Sequence, residues 1–351
     1  MEESHLLVSR HGAVGRIRLN RPRALNSLTL EMVRRFTQAL VAFERDQDIV
    51  AVLVTGEGDR GLCAGGDIRA LYDLRHGDKN HYRTFWREEY ELNALIASFA
   101  KPYVVLMDGV VMGGGVGVSA HGNCRIVTER TRLAMPETGI GFIPDVGGTW
   151  LLARAGGPGI YMALSGATIS GPDAIAAGLA DCFVRSEDLE RLVEMLQGAE
   201  CLRHITDTVD TFRRPFETGE LSRHKPMLDG TMTGATVEEI LARLAQDGSP
   251  FARLAASEIE RKSPSSLKVT HALLREAARS ESLQSCLVRE FRAACSLLES
   301  HDLYEGIRAA IIDKDRSPHW CPPVLREVTG ATVETILKGD GSAEPSFARG
   351  A

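Results

Sequence analysis

The sequence predicts an α/β unit over roughly its first two hundred residues, followed by a helical C-terminal region. The runs at residues 50–55 and 102–107 are almost continuously apolar, as strands buried on both faces of a parallel sheet are. Helical periodicity alternates with these runs, and such alternation is typical of layered α/β units. From about residue 187 the strand signals end and long helical patterns begin. We therefore predict a core over residues 1–200, a helical region over 201–338 and a disordered tail over 339–351.

Local signals predict the first elements of the core. A hairpin is expected before residue 20, and Asn26, Ser27 or Thr29 is expected to cap the helix that follows. A short helix is predicted after Asp67, and a longer one over residues 81–99.

Later elements follow in the same way. A Gly-rich turn after residue 107 opens a helix, and a strand is expected at residues 125–128. The pairs Gly157-Pro158, Gly171-Pro172 and Ser263-Pro264 mark helix starts, and residues 267–298 have a long helical pattern.

Composition and charge exclude several classes of protein. The net charge of the 351 residues is −6 and no long run carries one sign, so neither nucleic acid nor a membrane surface is the expected partner. No apolar run is long enough to span a membrane, and no signal segment opens the chain. The seven cysteines form no C-x-x-C pair, and no H-E-x-x-H or comparable cluster predicts a metal site. We expect a cytoplasmic protein with reduced cysteines.

Two Gly-rich turns follow predicted strands, with the sequences CAGGD at 63–67 and MGGGVG at 112–117. Each leads into a helix, whose first N–H groups lack intrahelical partners and can hold an oxyanion or a phosphate. The glycines can instead serve the backbone, by adopting positive φ or by letting strand and helix pack closely. Packing is the simpler explanation for either turn alone, whereas the presence of two such turns gives ligand binding equal standing.

A dinucleotide-binding fingerprint overlaps the second turn. Gly115, Gly117 and Ala120 fit the pattern G-x-G-x-x-A, and Glu137 follows at about the distance of a ribose-binding acid. A run of glycines satisfies this pattern by chance, and the fingerprint belongs in the first βαβ unit of a fold. Nicotinamide binding is therefore the weaker interpretation.

Three acidic residues stand in apolar surroundings. Glu89 falls within the apolar stripe of the helix at 81–99, so its carboxylate must find a partner, stay protonated or line a cavity, unless the exposed side of that helix is misassigned. Glu137 and Asp145 lie in an apolar loop rich in glycine and proline, and paired carboxylates can divide acid and base work. For Asp145 the simpler interpretation is an N-cap for the helix that begins near Gly147.

A serine nucleophile fits this sequence poorly. Ser119 follows Gly117, but His121 stands where a G-x-S-x-G elbow has its second glycine. A hydrolase with this sequence would have to use carboxylates.

Taken together, these segments resemble the enoyl-CoA hydratase/isomerase (crotonase) superfamily. The matching pieces are NRPRALN at 20–26, CAGGD at 63–67, KPYVVLMDGVVMGGGVG at 101–117 and MPETGIGFIPDVGG at 135–148. More specific are REEY at 87–90 and the stretch from EGIR at 305 through IIDKDRSP ending at 318, which resemble the thioester hydrolases of the superfamily. The resemblance runs from about residue 5 to 328.

The resemblance implies a crotonase fold, with repeated ββα units and an acyl-CoA bound in an extended cleft. Because CoA is then part of the substrate, no separate cofactor is implied. The backbone N–H groups of Gly66 and Gly114 match the oxyanion-hole donors of the superfamily. The other substrate-binding positions carried over are Ala24, Ala64, Gly65, Glu89, Glu137 and Asp145.

The resemblance also implies a reaction class. Hydratases of the superfamily use two glutamates, and here Gly117 occupies the first of these places whereas Glu137 keeps the second. Asp145 stands where the hydrolases have their second acid. The implied reaction is hydrolysis of a short branched hydroxyacyl-CoA thioester in valine breakdown, a branched-chain amino acid degradation pathway. Glu137 either attacks the thioester carbonyl, which the resemblance favours, or deprotonates a water molecule.

Two other functions stay open at this point. One is another crotonase activity, either hydration or isomerisation of a different short acyl-CoA; the other is CoA-ester binding without turnover. Relatives in the superfamily often form trimers or hexamers through C-terminal helices, so a homo-oligomer is an open expectation, although the C-terminal region is longer here.

Overall fold

The computed structural model describes residues 4–347, which form two compact units. The first, the sheet unit, comprises the chain up to Gly66 together with Glu91–Leu133 and Ile169–Glu220. The second, the helical unit, comprises Asp67–Tyr90, Ala134–Thr168 and the chain from Leu221 onward. Segments of the two units alternate along the sequence. The division into two consecutive regions at residue 200 stays a prediction.

The described residues contain ten strands in two sheets. They are β1 (Leu6–His11), β2 (Val14–Leu19), β3 (Ala51–Gly56), β4 (Gly61–Cys63), β5 (Tyr103–Met107), β6 (Val110–Met112), β7 (Cys124–Val127), β8 (Arg132–Ala134), β9 (Ile169–Ser170) and β10 (Cys182–Phe183). The six-stranded sheet has the order β1-β2-β3-β5-β7-β10, and the four-stranded sheet has the order β4-β6-β8-β9. In the larger sheet β1 and β2 form the predicted antiparallel hairpin, and every other neighbouring pair is parallel.

The strand order shows the repeated ββα unit that the resemblance implied. In the consecutive pairs β3/β4, β5/β6 and β7/β8, the first strand joins the larger sheet and the second joins the smaller. Every residue of β5 is buried, as its continuous apolar run predicted. Each repeat therefore ends at the smaller sheet, from which the turns at residues 63–66 and 112–115 emerge.

Seventeen α-helices lie within residues 4–347. They are α1 (Leu30–Arg45), α2 (Ile68–Asp73), α3 (Asn80–Ser98), α4 (Gly114–Gly117), α5 (Gly148–Arg154), α6 (Gly157–Ser165), α7 (Gly171–Ala176), α8 (Leu189–Gln197), α9 (Leu202–Phe212), α10 (Glu220–Arg223), α11 (Lys225–Thr231), α12 (Val237–Asp247), α13 (Pro250–Glu260), α14 (Pro264–Ala277), α15 (Leu283–Leu297), α16 (His301–Ile307) and α17 (Gly330–Lys338). None of them is long and apolar enough to cross a bilayer.

Capping residues fix several of these helices where the sequence predicted. Of the three candidate caps for α1, Thr29 accepts a hydrogen bond from the backbone N–H of Met32. Asp67 caps α2 in the same way through the N–H of Ala70. The single pattern expected at residues 267–298 is instead two helices, because α14 ends at Ala277 and Ser282 caps the start of α15.

The C-terminal part has the predicted character. After Phe183 the described chain contains no strand. Asp340 and Glu344, within the segment expected to be disordered, form ion pairs with Arg83 and Arg292. Residues 348–351 of that segment lie outside the described residues.

Candidate active site

In the sheet unit the turn at residues 63–66 lies against the turn at 112–115. Gly65 has φ +102° and Gly113 has φ +50°, conformations that other L residues rarely adopt. A Cβ on Gly115 would lie 2.2 Å from the carbonyl oxygen of Cys63, and a Cβ on Gly65 would lie 3.3 Å from the backbone nitrogen of Gly114. The backbone interpretation is therefore confirmed for these three glycines, which bring the two turns together.

Gly66 and Gly114 differ from these glycines in what their N–H groups do. Leu28 and Gly66 form a parallel bridge, in which Leu28 donates its N–H to the carbonyl of Gly65. In a parallel bridge the hydrogen bonds of Leu28 go to the residues on either side of Gly66, so the Gly66 N–H points away from Leu28. Gly114 is the first residue of α4, where an N–H has no carbonyl one turn earlier in the helix. The N–H groups of Gly66 and Gly114 thus both lie outside the hydrogen-bond pattern of their own bridge or helix.

The other positions predicted to bind substrate in this unit adjoin the first turn. Ala64 donates its N–H to the carbonyl of Leu25, which follows Ala24 at the end of a single 3₁₀ turn. Leu25 and Asn26 both have positive φ, and Ala24 is exposed. The backbone pairing thus places Ala24 close to the Ala64–Gly65 turn.

The dinucleotide fingerprint fails on geometry. A Cβ on Gly115, its first glycine, would lie 2.2 Å from the Cys63 carbonyl oxygen, so the packing of the two turns requires this glycine. The helix that it would open is the single turn α4, which follows the sixth strand of the described chain. The glycine pattern reflects close packing of the two turns instead.

In the helical unit three predicted acids form one buried cluster, here called the acid cluster: Glu89, Glu137 and Asp145. Their exposed fractions are 2%, 7% and 6%, respectively. Tyr82, Phe85 and Trp86 on the same helix as Glu89 are also buried, so the predicted stripe with an acid inside it is confirmed. Glu89 Oε1 and Glu137 Oε2 have no hydrogen-bond partner among the described residues. Such oxygens are costly to bury and are suited to a substrate donor.

Asp145 is held by a tyrosine instead of capping a helix. Tyr90 Oη donates a hydrogen bond of 2.7 Å to Asp145 Oδ2, and Tyr90 is itself fully buried against Phe291. The N-cap of α5 is Gly147, two positions after Asp145. The N-cap interpretation of Asp145 is therefore wrong, because Gly147 is the cap and the Asp145 carboxylate accepts from the tyrosine hydroxyl instead.

Burial and mutual repulsion raise the pKa values of the acid cluster. Desolvation raises the pKa of Glu89 and of Glu137 well above the ordinary value, and the charge of Asp145 raises both further. Desolvation also raises the pKa of Asp145 to about 7, although the Tyr90 hydrogen bond acts in the opposite direction. Each of the three carboxyls therefore keeps its proton to a higher pH than an exposed carboxyl does.

A fourth buried acid, Glu290 on α15, fixes the turn next to Asp145. Its carboxylate accepts hydrogen bonds from the N–H of Gly147 at 2.7 Å and of Thr149 at 3.0 Å, and it also contacts the Thr149 hydroxyl. Val146, between Asp145 and Gly147, has φ +53°, a strained conformation for a β-branched residue. The anchor on Gly147 holds that strained turn, and with it the backbone that carries Asp145.

The loop that carries Glu137 is seated on α16. Gly141 has φ +73°, and a Cβ there would lie 2.2 Å from the carbonyl oxygen of Asp302. A Cβ on Gly306 would lie 2.4 Å from the carbonyl carbon of Ile140. Gly306 belongs to the specific EGIR stretch, so the late segment supports the backbone of the Glu137 loop through close glycine contacts.

Sequence reasoning missed the roles of Tyr90 and Glu290. Tyr90 was part of the REEY match but carried no assigned role. Glu290 lies in no motif, yet it stands among the buried apolar residues of α15, as Glu89 does in α3. An acid within an apolar helical stripe was therefore a usable signal in both helices.

Comparison with known proteins identifies the family. The enoyl-CoA hydratase/isomerase family model matches residues 14–337. The rat protein named 3-hydroxyisobutyryl-CoA hydrolase, mitochondrial, is 40% identical over 99% of this chain and 92% of its own length. The human protein of the same name is 39% identical over 97% of this chain and 90% of its own.

Solved structures agree on the fold but have other activities in their titles. A structure titled carnitinyl-CoA dehydratase from Mycobacterium thermoresistibile has 44% identity and a TM-score of 0.94, covering 98% of this chain and 99% of that one. An enoyl-CoA hydratase from Rhodobacter sphaeroides has 39% identity and a TM-score of 0.89, covering 96% and 98%. The chain therefore has the crotonase fold and belongs to the enoyl-CoA hydratase/isomerase family, within which it is related along its length to proteins named 3-hydroxyisobutyryl-CoA hydrolase.

Proposed function

We propose that this protein hydrolyses 3-hydroxyisobutyryl-CoA to 3-hydroxyisobutyrate and CoA. The observation that carries the proposal is the burial of Glu137 and Asp145 in one cluster, where the charge of Asp145 raises the Glu137 pKa. The full-length similarity to proteins named for this activity supports it. No cofactor is needed, since the CoA belongs to the substrate.

In this reaction the two glycine turns stabilise the negative charge of the transition state. Attack on a thioester places negative charge on the former carbonyl oxygen, and preorganised N–H donors aimed at that oxygen each lower the barrier by about 3–4 kcal/mol. The N–H groups of Gly66 and Gly114 are the proposed donors. They suit this work because a backbone donor has no pKa near neutrality and no rotamer to change.

The acid cluster supplies the nucleophile and the protons. In the favoured route an ionised oxygen of Glu137 attacks the thioester carbon, the C–S bond breaks, and the departing thiolate takes a proton from the cluster. The resulting mixed anhydride is then opened by water. In the alternative route Glu137 deprotonates the water that attacks the thioester. Asp145 orients Glu137 or the water, and Glu89, whose Oε1 lacks a partner among the described residues, accepts a hydrogen bond from the substrate hydroxyl or tunes the Glu137 pKa.

Hydration of an enoyl-CoA is the second candidate, favoured by the names of the two proteins with similar structures. Adding water across a double bond requires an acid and a base placed around the alkene. Gly117 occupies the place of one hydratase glutamate, which disfavours hydration. Assaying 3-hydroxyisobutyryl-CoA beside crotonyl-CoA, with thiol release and loss of the enoyl absorbance as readouts, separates the two reactions. Hydration of crotonyl-CoA without thiol release from either ester would overturn the proposal.

Trapping separates the two hydrolytic routes. Borohydride added during turnover reduces a mixed anhydride, so the peptide that contains Glu137 should carry the corresponding alcohol. In a single turnover in ¹⁸O-water, label recovered in Glu137 likewise requires the anhydride. Unmodified Glu137 in both experiments, with label only in the product, supports the water-activation route. Absence of thiol release across short branched acyl-CoAs would leave CoA-ester binding without turnover.

Three further assignments belong to the same proposal. Valine breakdown follows from the proposed substrate. The cytoplasmic location predicted from sequence stays a prediction, and the vertebrate relatives are named as mitochondrial proteins. The expectation of a homo-oligomer also stays a prediction, which sedimentation of the purified chain would test.

A further inference from the structure

A polar cavity of about 470 Å³ lies in the sheet unit, on the face of the six-stranded sheet that α8 covers. Val14, Leu53 and Val104 on this face form an apolar patch under Leu192 and Leu196 of α8. Side chains two positions apart on a strand share a face, so further along β2 and β3 the same face carries other residues. These residues are polar, namely Arg16, Arg18 and Thr55, and they line the cavity.

Three buried polar atoms in the cavity wall have no hydrogen-bond partner among residues 4–347. They are Arg16 Nε, Thr55 Oγ1 and Gln197 Nε2. Thr55 is only 6% exposed, so its hydroxyl is withdrawn from bulk solvent. Unpaired buried polar atoms are rare in native proteins, and their concentration in one cavity indicates groups held ready for a ligand. The unpartnered oxygens of Glu89 and Glu137 show the same feature in the acid cluster.

Among the described residues Arg16 has no ion-pair partner, unlike Arg18 in the same wall. Arg18 forms an ion pair of 2.9 Å with Glu57, and Asp108 accepts a hydrogen bond of 2.5 Å from Thr128. Arg16 forms no ion pair with any residue in the described part of the chain. Burial, followed by the charge of Arg18, lowers the Arg16 pKa, and the charge of Glu57 acts in the opposite direction.

We propose that this cavity binds a small monocarboxylate that also carries a hydroxyl or ammonium donor. A guanidinium group pairs strongly with a carboxylate, and the Thr55 hydroxyl and the Gln197 amide add two neutral donors. Glu190 and Glu194, which line the α8 side, accept from the second group of the ligand. Because carboxylates surround the cavity, a multiply charged phosphate is disfavoured. None of these residues belongs to the proposed catalytic groups, so the inference stands apart from the proposed hydrolysis.

Calorimetric titration of the full chain tests the ligand class. The probes are lactate, L-alanine, propionate and inorganic phosphate. Lactate or L-alanine should bind at least about tenfold more tightly than propionate, which lacks the second donor, and phosphate should bind more weakly than either. Whichever of lactate and L-alanine binds more tightly shows whether the ligand is a hydroxy acid or an amino acid. Absence of binding by both, or tighter binding of phosphate, overturns the proposal.

Two variants distinguish this cavity from any other site. Arg16→Met keeps an apolar stem but removes the charge, and it should weaken binding by at least about tenfold. Thr55→Val removes an unpartnered hydroxyl, so it should weaken binding while raising the melting temperature of the free chain. Arg203→Met is the control, because it removes an exposed arginine paired with Asp207 elsewhere in the sheet unit.

The pattern across these variants decides the outcome. Arg203→Met should bind the carboxylate as the unmodified chain does, and all three variants should keep thioester hydrolysis. Unchanged affinity in Arg16→Met, or equal loss in the control, overturns the proposal. A Thr55→Val chain that is less stable and binds normally contradicts a ligand-binding role for that hydroxyl.

Discussion

The glycine turns of the sheet unit and the acid cluster of the helical unit offer different chemical groups to the proposed reaction. The turns offer backbone N–H groups, which are held in place by close packing such as that of Gly115 against the Cys63 carbonyl. The cluster offers carboxylates, whose protonation depends on burial and on each other's charge. Backbone donors are therefore insensitive to pH and sensitive to any added atom, whereas the carboxylates respond to pH and to their hydrogen-bond partners.

The largest effect is expected in the acid cluster. Glu137→Gln should lower kcat by at least about 10³-fold, because the amide can act neither as nucleophile nor as base. Binding of a non-hydrolysable CoA thioether should change little, since Glu137 is proposed to act on the acyl carbon. Thiol release and calorimetry measure the two quantities. Glu276→Gln, an exposed change on α14, is the control. Turnover at the wild-type rate in Glu137→Gln would contradict the role of Glu137 as nucleophile or base.

The glycine turns should respond to a single methyl group. Gly115→Ala places a Cβ against the Cys63 carbonyl and forces the two turns apart, so kcat should fall by about 10²–10³-fold, as on loss of one oxyanion donor. Gly230→Ala is the matched control, because a Cβ there meets nothing within 4 Å. Steady-state kinetics and a melting curve separate catalytic loss from unfolding. A Gly115→Ala chain that is folded and fully active would show that the contact between the turns does not position the donors.

A smaller, pH-dependent effect is expected at Tyr90. Its hydroxyl lowers the Asp145 pKa, which is raised to about 7 by burial, so Tyr90→Phe should raise that pKa further. If activity requires an ionised cluster, the rising limb of the pH profile should then move to higher pH. A displacement of about one pH unit lowers kcat/KM about tenfold at a fixed pH below neutrality. The pH profile of kcat/KM measures the displacement, and recovery at alkaline pH distinguishes it from misfolding. A profile that only falls in height, at every pH, would contradict this role for Tyr90.

The smallest expected effect concerns stability. The folded chain keeps protons on Glu290, whose pKa burial raises to about 8, and on Asp145, at about 7; the unfolded chain releases both near pH 4. The free energy of unfolding should therefore fall as pH rises from about 4 to 8, because the folded state binds more protons over that range. Glu290→Gln removes one of these groups and should flatten the slope.

Denaturant unfolding at several pH values measures that slope. Glu258→Gln, which alters a partly buried contact with the Tyr161 hydroxyl, is the control, because Glu258 lies outside the acid cluster. Identical slopes in Glu290→Gln and the unmodified chain would mean that Glu290 is ionised in the folded state near neutral pH.

Local pattern accounts for most of the fold. The apolar runs predicted β3 and β5, and Thr29 and Asp67 cap the helices that they were expected to begin. These predictions succeeded because strand burial and helix capping depend on residues within one turn or one strand of each other. The pattern at residues 267–298 was read as one stretch, and the turn before Ser282 divides it into two helices.

The acid cluster was only partly predictable. Glu89 was visible as an acid inside an apolar stripe, because helical periodicity alone places it on the buried face. Asp145 was assigned more simply as a cap, since the Tyr90 hydroxyl that holds it lies 55 positions away in the chain. Glu290 was not identified, because its partner Gly147 is 143 positions away and no spacing rule connects them.

The sequence by itself determined the alternation of strands and helices, the two glycine turns and the position of Glu89 within an apolar helical stripe, because each depends on short-range periodicity or on the conformational freedom of one residue. Only the tertiary structure decided which groups hold Asp145, how far the carboxylate pKa values rise, and that Arg16, Thr55 and Gln197 share one cavity. Desolvation and long-range hydrogen bonds depend on which distant segments pack together, and that packing has no signature in the local sequence.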